Sequence, residues 1–230
     1  MVNLNDLEAK IGISFKDKNL LEQAFVHRSY LNENPKFKLP HNERLEFLGD
    51  AVLELAVTDF LYRNYPDKQE GELTAYRAGI VNAVILGEIG HELGFNNYLI
   101  LSKGESKDLG KARQYILANT IEALIGAIYM DSGLEAATKF INGFILPKLD
   151  EVLTKELWRD SKSFVQEMAQ EHFSATPVYK VLRQSGPDHD KLFTSGIFFN
   201  DKLIAEGEGR SKQEAEQEAA EKALHNFKWR

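Results

Sequence analysis

The sequence predicts an all-α domain followed by a small α+β domain of order α-β-β-β-α. Three observations carry this. Apolar residues recur at helical spacing up to about residue 153, and no strand pattern longer than a few residues competes. The texture turns polar near residue 154, where Lys155, Glu156, Arg159, Asp160 and Lys162 crowd together. Beyond that, short β-rich runs separated by turn residues lie between two helical segments. The expected division is 1–153 for the helical domain, 154–160 for a linker and 161–230 for the second domain.

Taken in order, residues 19–26 form a short amphipathic segment, and 34–42 carry two prolines and form a loop. Residues 43–62 are a long apolar helix that ends before Pro66. Residues 70–79 are a shorter helix, and 81–93 another, stopped by Gly94. Residues 109–130 are long and apolar, and 134–153 follow with Pro147 bending or interrupting the helix. After the polar stretch, 164–172 are helical. The strands are 178–183, 192–199 and 203–206, with turns at Gly186-Pro187 and Asn200-Asp201. The last helix spans 211–227, with Ala215, Ala219, Ala223 and Phe227 every fourth residue. Ser211 and Glu214 form its capping box. This order packs as a sheet with both helices on one face.

Composition narrows the class. With 43% hydrophobic and 27% charged residues the chain can bury a core and stay in water. The absence of cysteine excludes disulfides and thiolate metal sites, and suits a reducing compartment. No stretch suits a signal peptide or a membrane span, so a cytoplasmic location is expected. The net charge of −7 counts against a broadly basic nucleic-acid surface, unless the acids are gathered to hold cations.

The acids are in fact gathered. Glu43, Glu46 and Asp50 stand at i, i+3 and i+7 and share one face of a helix otherwise built from Leu45, Phe47, Leu48, Val52 and Leu53. Asn119 and Glu122 form a similar polar pair on the 109–130 helix. Like charges on a largely buried face repel, and desolvation adds to the cost. Two arrangements relieve that cost. The acids can pair with Arg28, Arg44, Arg77 or Arg113, or they can hold a hard cation, for which oxygen donors suit magnesium or manganese. If the two faces oppose each other, Glu46, Asp50, Asn119 and Glu122 converge on one oxygen-rich pocket able to activate a water against a phosphodiester.

The run Asn42-Glu43-Arg44-Leu45-Glu46-Phe47-Leu48-Gly49-Asp50-Ala51 resembles the signature of the ribonuclease III family. His27-Arg28-Ser29-Tyr30, Glu70-Gly71-Glu72-Leu73 and the segment from Ile116 to Ala127 resemble further motifs of that family, and together they cover nearly all of residues 3–150. The resemblance implies an endonuclease domain that cuts double-stranded RNA with magnesium, manganese being able to substitute, and that acts in processing ribosomal precursors or messages. It implies Glu46, Asn119 and Glu122 as metal ligands, Asp50 and Glu122 as catalytic, and Glu43 and Glu70 as RNA-binding. It also implies a homodimer with Phe47 inserting into the partner. The products would carry a 5′-phosphate and a 3′-hydroxyl, with a short 3′ overhang.

Residues 161–228 resemble a double-stranded-RNA-binding domain. Gln166 and Glu167 on its first helix, Pro187 and His189 on the first hairpin, and Arg210, Ser211, Lys212 and Gln213 at the start of the last helix stand where such domains meet RNA. The physics agrees. A-form RNA offers a shallow minor groove lined with 2′-hydroxyls, and a helix N-terminus offers free N–H groups to phosphates.

Two positions depart from the family patterns. Asn119 stands where Asp is common, and Gln213 stands where a second basic residue is frequent. Asn119 admits an enzyme that works with an amide, an inactivated enzyme, or a protein that binds duplex RNA without cutting. Glu43, Glu46, Asp50, Glu70 and Glu122 are all retained, which favours the first.

Overall fold

A computed structural model describes residues 4–107, 110–156, 158, 161–187 and 191–226. The chain forms two compact units, Met1–Trp158 and Arg159–Arg230.

The first unit is helical, as the periodicity predicts. Its helices are α1 (Leu4–Ile11), α2 (Lys18–Ala24), α3 (Arg28–Glu33), α4 (Glu43–Asn64), α5 (Glu70–Ile80), α6 (Ala83–Glu92), α7 (Lys111–Phe144) and α8 (Leu149–Thr154). α7 is the central element. From Ile116 to Ile128 almost every side chain is buried, so this helix is covered on most sides. α4 packs along it through Leu53, Val57 and Leu61, in one core with Ile121, Leu124 and Ile125.

Local chemistry sets the ends. Asn42 is buried and ties the start of α4 to the end of α2, donating from Nδ2 to the Ala24 carbonyl at 3.2 Å. Asn82 Oδ1 caps α6 by accepting from the Val84 and Ile85 amides. Gly94, at φ 70, ends that helix in the left-handed region.

Several short elements escape periodicity. α1 buries Leu7 and Ile11, and its Glu8 is fixed by Lys18 Nζ at 2.5 Å and by the Phe15 amide at 2.6 Å. α3 has six residues and is capped by His27 Nδ1, which accepts from the Ser29 amide. The expected helices at 109–130 and 134–153 are instead one trace, Lys111–Phe144, broken where Gly133 leaves helical geometry (φ 83, ψ −178). Pro147 then sits in a 3-10 turn ahead of α8.

The second unit has the expected order: α9 (Ser161–Phe173), β1 (Val178–Ser185), β2 (Leu192–Phe199), β3 (Lys202–Gly209) and α10 (Lys212–Asn226). The sheet is antiparallel with β2 in the middle. Val165 and Ala169 of α9, Ile197 and Phe199 of β2, and Ala219, Ala220 and Ala223 of α10 share one core, so both helices cover the same face. Small residues let α10 lie close. A Cβ on Gly207 would stand 2.2 Å from the Ala219 nitrogen. Asn200 and Asp201 take φ 45 and φ 65, the geometry of a tight hairpin turn. His189 and Phe227 lie outside the described residues.

The segment between the units also differs from expectation. α9 begins at Ser161, three residues earlier than read, and Trp158 packs on the first unit. Its ring centroid is 4.8 Å from that of Tyr76. Gly79 leaves room for it: a Cβ there would stand 2.6 Å from Trp158 Cβ.

Candidate functional site

Two glycines decide how the acidic faces meet. A Cβ on Gly49 would stand 1.7 Å from the Glu122 carbonyl oxygen, and one on Gly126 would stand 2.2 Å from the Leu45 carbonyl oxygen. α4 and α7 therefore touch backbone to backbone at this crossing. Each glycine has acids beside it: Glu46 lies about one turn before Gly49 and Asp50 directly after it, and Glu122 lies about one turn before Gly126. The close crossing brings these carboxylates together. Sequence reasoning found the acids but not the glycines. The available signal was a glycine inside each long helix, where it costs about 1 kcal/mol and so calls for a packing reason.

Electrostatics report the proximity. Burial pushes the Glu122 carboxyl up to about 7, helped by the charges of Asp50 and Glu46. The Glu46 carboxyl is also raised, first by burial and then by Glu43 and Asp50, while a hydrogen bond from the Asn119 side chain opposes the rise. Among the described residues no Lys, Arg or His forms an ion pair with the carboxylates of Glu46, Asp50 or Glu122. Of the four arginines expected as partners, Arg44 is exposed and the other three are engaged elsewhere. Arg113 donates to the Glu105 carbonyl at 2.7 Å, Arg77 donates to Thr58 Oγ1, and Arg28 stands 3.3 Å from Glu43. Among the described residues Glu43 is thus the one acid of this face of α4 with an ion pair, and His41 Nδ1 lies 3.8 Å from it.

The donor chemistry fits a hard divalent cation: two glutamates, an aspartate and an amide oxygen at one crossing, with neighbouring charge uncompensated. Among the described residues, no three His, Cys, Asp or Glu side chains already stand as a ready-made ligand set. The amide of Asn119 is meanwhile engaged with Glu46. Glu70 stands apart at the first position of α5, exposed, where it accepts from Thr74 Oγ1 at 3.4 Å. Phe47 projects from the second turn of α4 and is 82% exposed, a large apolar side chain left in solvent on this protomer.

On the second unit, Gln166 and Glu167 are exposed on α9. Pro187 is exposed after Gly186, which takes φ 89 to turn the chain. Ser211 Oγ accepts from the Glu214 amide, as the capping box requires. The reciprocal bond differs: Glu214 Oε2 accepts from the Arg210 amide, one residue further out. Lys212 and Gln213 are exposed on the first turn of α10.

Comparisons with known proteins agree with this architecture. Residues 17–149 match the Ribonuclease-III-like family model, and residues 161–227 match the double-stranded RNA binding motif. The chain is 46% identical over 226 residues to Ribonuclease 3 of Carboxydothermus hydrogenoformans, covering 98% of this chain and 96% of that protein. It is 45% identical over 223 residues to Ribonuclease 3 of Enterococcus faecalis, covering 96% of each. The nuclease domain of ribonuclease III from Campylobacter jejuni, in which a region involved in dimer formation is structurally flexible, superposes with a TM-score of 0.58 at 37% identity. That match covers 63% of this chain and 97% of that one. With both domain models matched and relatives alike over nearly its whole length, the chain belongs to the ribonuclease III family of endoribonucleases.

Proposed function

We propose that this chain cuts double-stranded RNA by hydrolysis that depends on a divalent cation, magnesium or manganese. One observation carries the proposal: the carboxylates of Glu46, Asp50 and Glu122 lie near enough to repel one another beside the crossing of α4 and α7, none of them has an ion pair among the described residues, and burial and that repulsion push Glu122 up to about 7. Such a face gains by taking up a cation.

In this reading Glu46, Asn119 and Glu122 hold the ion, and Glu122 is also catalytic. An ion held there would supply two things, a lowered pKa for a nearby water and compensation for negative charge growing on the phosphodiester. Asp50 orients that water and accepts its proton. Oxygen from water bonds to phosphorus as the bond to the 3′-oxygen breaks, and that oxygen takes up a proton from solvent, leaving a 5′-phosphate and a 3′-hydroxyl. Glu43 and Glu70 orient the RNA beside the cut. Gln166, Glu167, Pro187, His189, Arg210, Ser211, Lys212 and Gln213 grip the duplex, by 2′-hydroxyl contacts from α9 and the hairpin and phosphate contacts from the start of α10. Exposed Phe47 seats in a second copy, so a homodimer carries one site for each strand. No helix among the described residues is long and apolar enough to cross a membrane, and we assign the protein to RNA maturation in the cytoplasm.

The second reading, a duplex-RNA binder that does not cut, is favoured by Asn119 alone. Labelled duplex RNA incubated with the protein and magnesium, then manganese, separates the two. Fragments with 5′-phosphates are expected, and Glu122→Gln should abolish cutting while leaving duplex binding within about twofold of the parent. Intact RNA that is still shifted on a native gel would replace the first reading with the second.

A further inference from the structure

The solvent-facing stripe of α7 does not stop at the acidic site. Glu122 and Asn119 are partly exposed, whereas Ile116, Leu117, Ala118, Thr120 and Ile121 around them are buried. The same stripe continues toward the helix start through Tyr115 and Lys111, at four-residue steps from Asn119. Tyr115 is 59% exposed, and Lys111 is exposed as well. Arg113 and Gln114 between them turn inward: Arg113 is buried and bonded to the Glu105 carbonyl, and Gln114 packs on Gly87. The helix thus presents, in line, a cation, a phenol, an amide and a carboxylate.

This order suits a nucleic-acid backbone that reaches the acids from one side. The carboxylate end repels phosphate unless a cation intervenes. The other end offers a neutral hydroxyl donor and then a positive charge, both of which commonly bind phosphate oxygens. We propose that Tyr115 and Lys111 extend the cutting site along the RNA strand. In this arrangement the Tyr115 hydroxyl bonds a backbone oxygen of a nucleotide flanking the scissile phosphate, and Lys111 contacts a phosphate further along. Both are positioning residues that hold the strand in register, and neither takes part in the chemistry. This inference rests on the proposed function for the identity of the ligand.

Binding measured on uncut RNA tests it. In the full chain carrying Glu122→Gln, the added change Tyr115→Phe, which removes only the hydroxyl, should weaken duplex RNA binding roughly three- to tenfold. Adding Lys111→Ala instead should reduce the slope of log affinity against log salt by about one. In the cutting enzyme, Tyr115→Phe should raise KM with kcat little changed, as expected for a contact made equally in ground and transition states. Both side chains are exposed, so melting temperatures should stay at the parent value. Binding within twofold of the parent for Tyr115→Phe, together with an unchanged salt slope for Lys111→Ala, overturns the inference. Failure of the parent protein to cut duplex RNA in magnesium or manganese would instead overturn the proposed function, and the binding series would still decide the fate of Tyr115 and Lys111.

Discussion

At the scale of single residues, the site is a balance between burial and charge, and Asn119 sits at its pivot. Its side chain donates to Glu46 and so favours the ionised carboxylate, whereas an aspartate there would add a fourth negative charge. Asn119→Asp should therefore bind magnesium more tightly, by roughly three- to tenfold, because charge at an oxygen site raises affinity for a hard cation. Titration calorimetry checks this, and weaker binding by the variant would remove Asn119 from the ligand set. Glu122 makes a second prediction. Its folded pKa is about 7, raised from 4.5. A raised carboxyl contributes stability that is complete below the unfolded value and is lost as pH rises through the folded one. Glu46 shifts in the same direction, whereas Glu8 and Asp131 shift downward and weaken the fold only at more acid pH. Between about pH 4.5 and pH 7 the ion-free protein should thus lose stability through Glu122, and magnesium should restore it. The rise in melting temperature on adding magnesium should be larger at the upper end of that range. A rise independent of pH, or one that persists unchanged in Glu122→Gln, contradicts the assignment.

At the scale of elements, the crossing of α4 and α7 does what no single side chain can. Ala is the better helix former by about 1 kcal/mol, so Gly126→Ala would stabilise an isolated helix. Here its Cβ meets the Leu45 carbonyl at 2.2 Å, and the helices must separate. The net effect should be destabilising by about 2 kcal/mol or more, with magnesium affinity reduced as the carboxylates move apart. Chemical denaturation and a metal titration on one sample measure both. Higher stability with unchanged metal binding would mean that the crossing is looser than described. This contact also marks how far the sequence could be read. The acidic stripe was legible because helical spacing alone puts Glu43, Glu46 and Asp50 on one face. That α4 faces α7 at two glycines was not, because a missing side chain leaves no periodic trace. The small second domain was legible from its turns and its alanine repeat, down to the Ser211 cap. α1 and α3 were missed because they span only about two turns and mix apolar with polar residues, so little period shows in them. The break at Gly133 was read correctly as a boundary, although the chain resumes as helix at once.

At the scale of the whole chain, the point where the second unit is tethered matters most. The polar run after residue 154 argues for a linker, but composition cannot show that one aromatic within it is anchored. Trp158 lies edge-on to Tyr76 and over Gly79, on the helix that carries Glu70 at its other end. It closes a surface on which Tyr76 is only 6% exposed and which Tyr65 also lines. Removing the indole costs buried apolar area and an aromatic contact, about 2 kcal/mol together. For a unit of this size that should lower the melting temperature by about 4–8 °C. The effect on RNA binding should be much smaller. Adding a few residues to a tether extends its reach only as the square root of its length, so effective concentration changes little. Trp158→Ala in the full chain is therefore expected to melt several degrees lower in the transition of the first unit, with duplex RNA affinity within about threefold of the parent. Calorimetry and a binding titration read the two quantities separately. The opposite pattern, with intact melting and RNA binding lost by tenfold or more, would place Trp158 among the residues that touch RNA and remove it from the core of the helical unit.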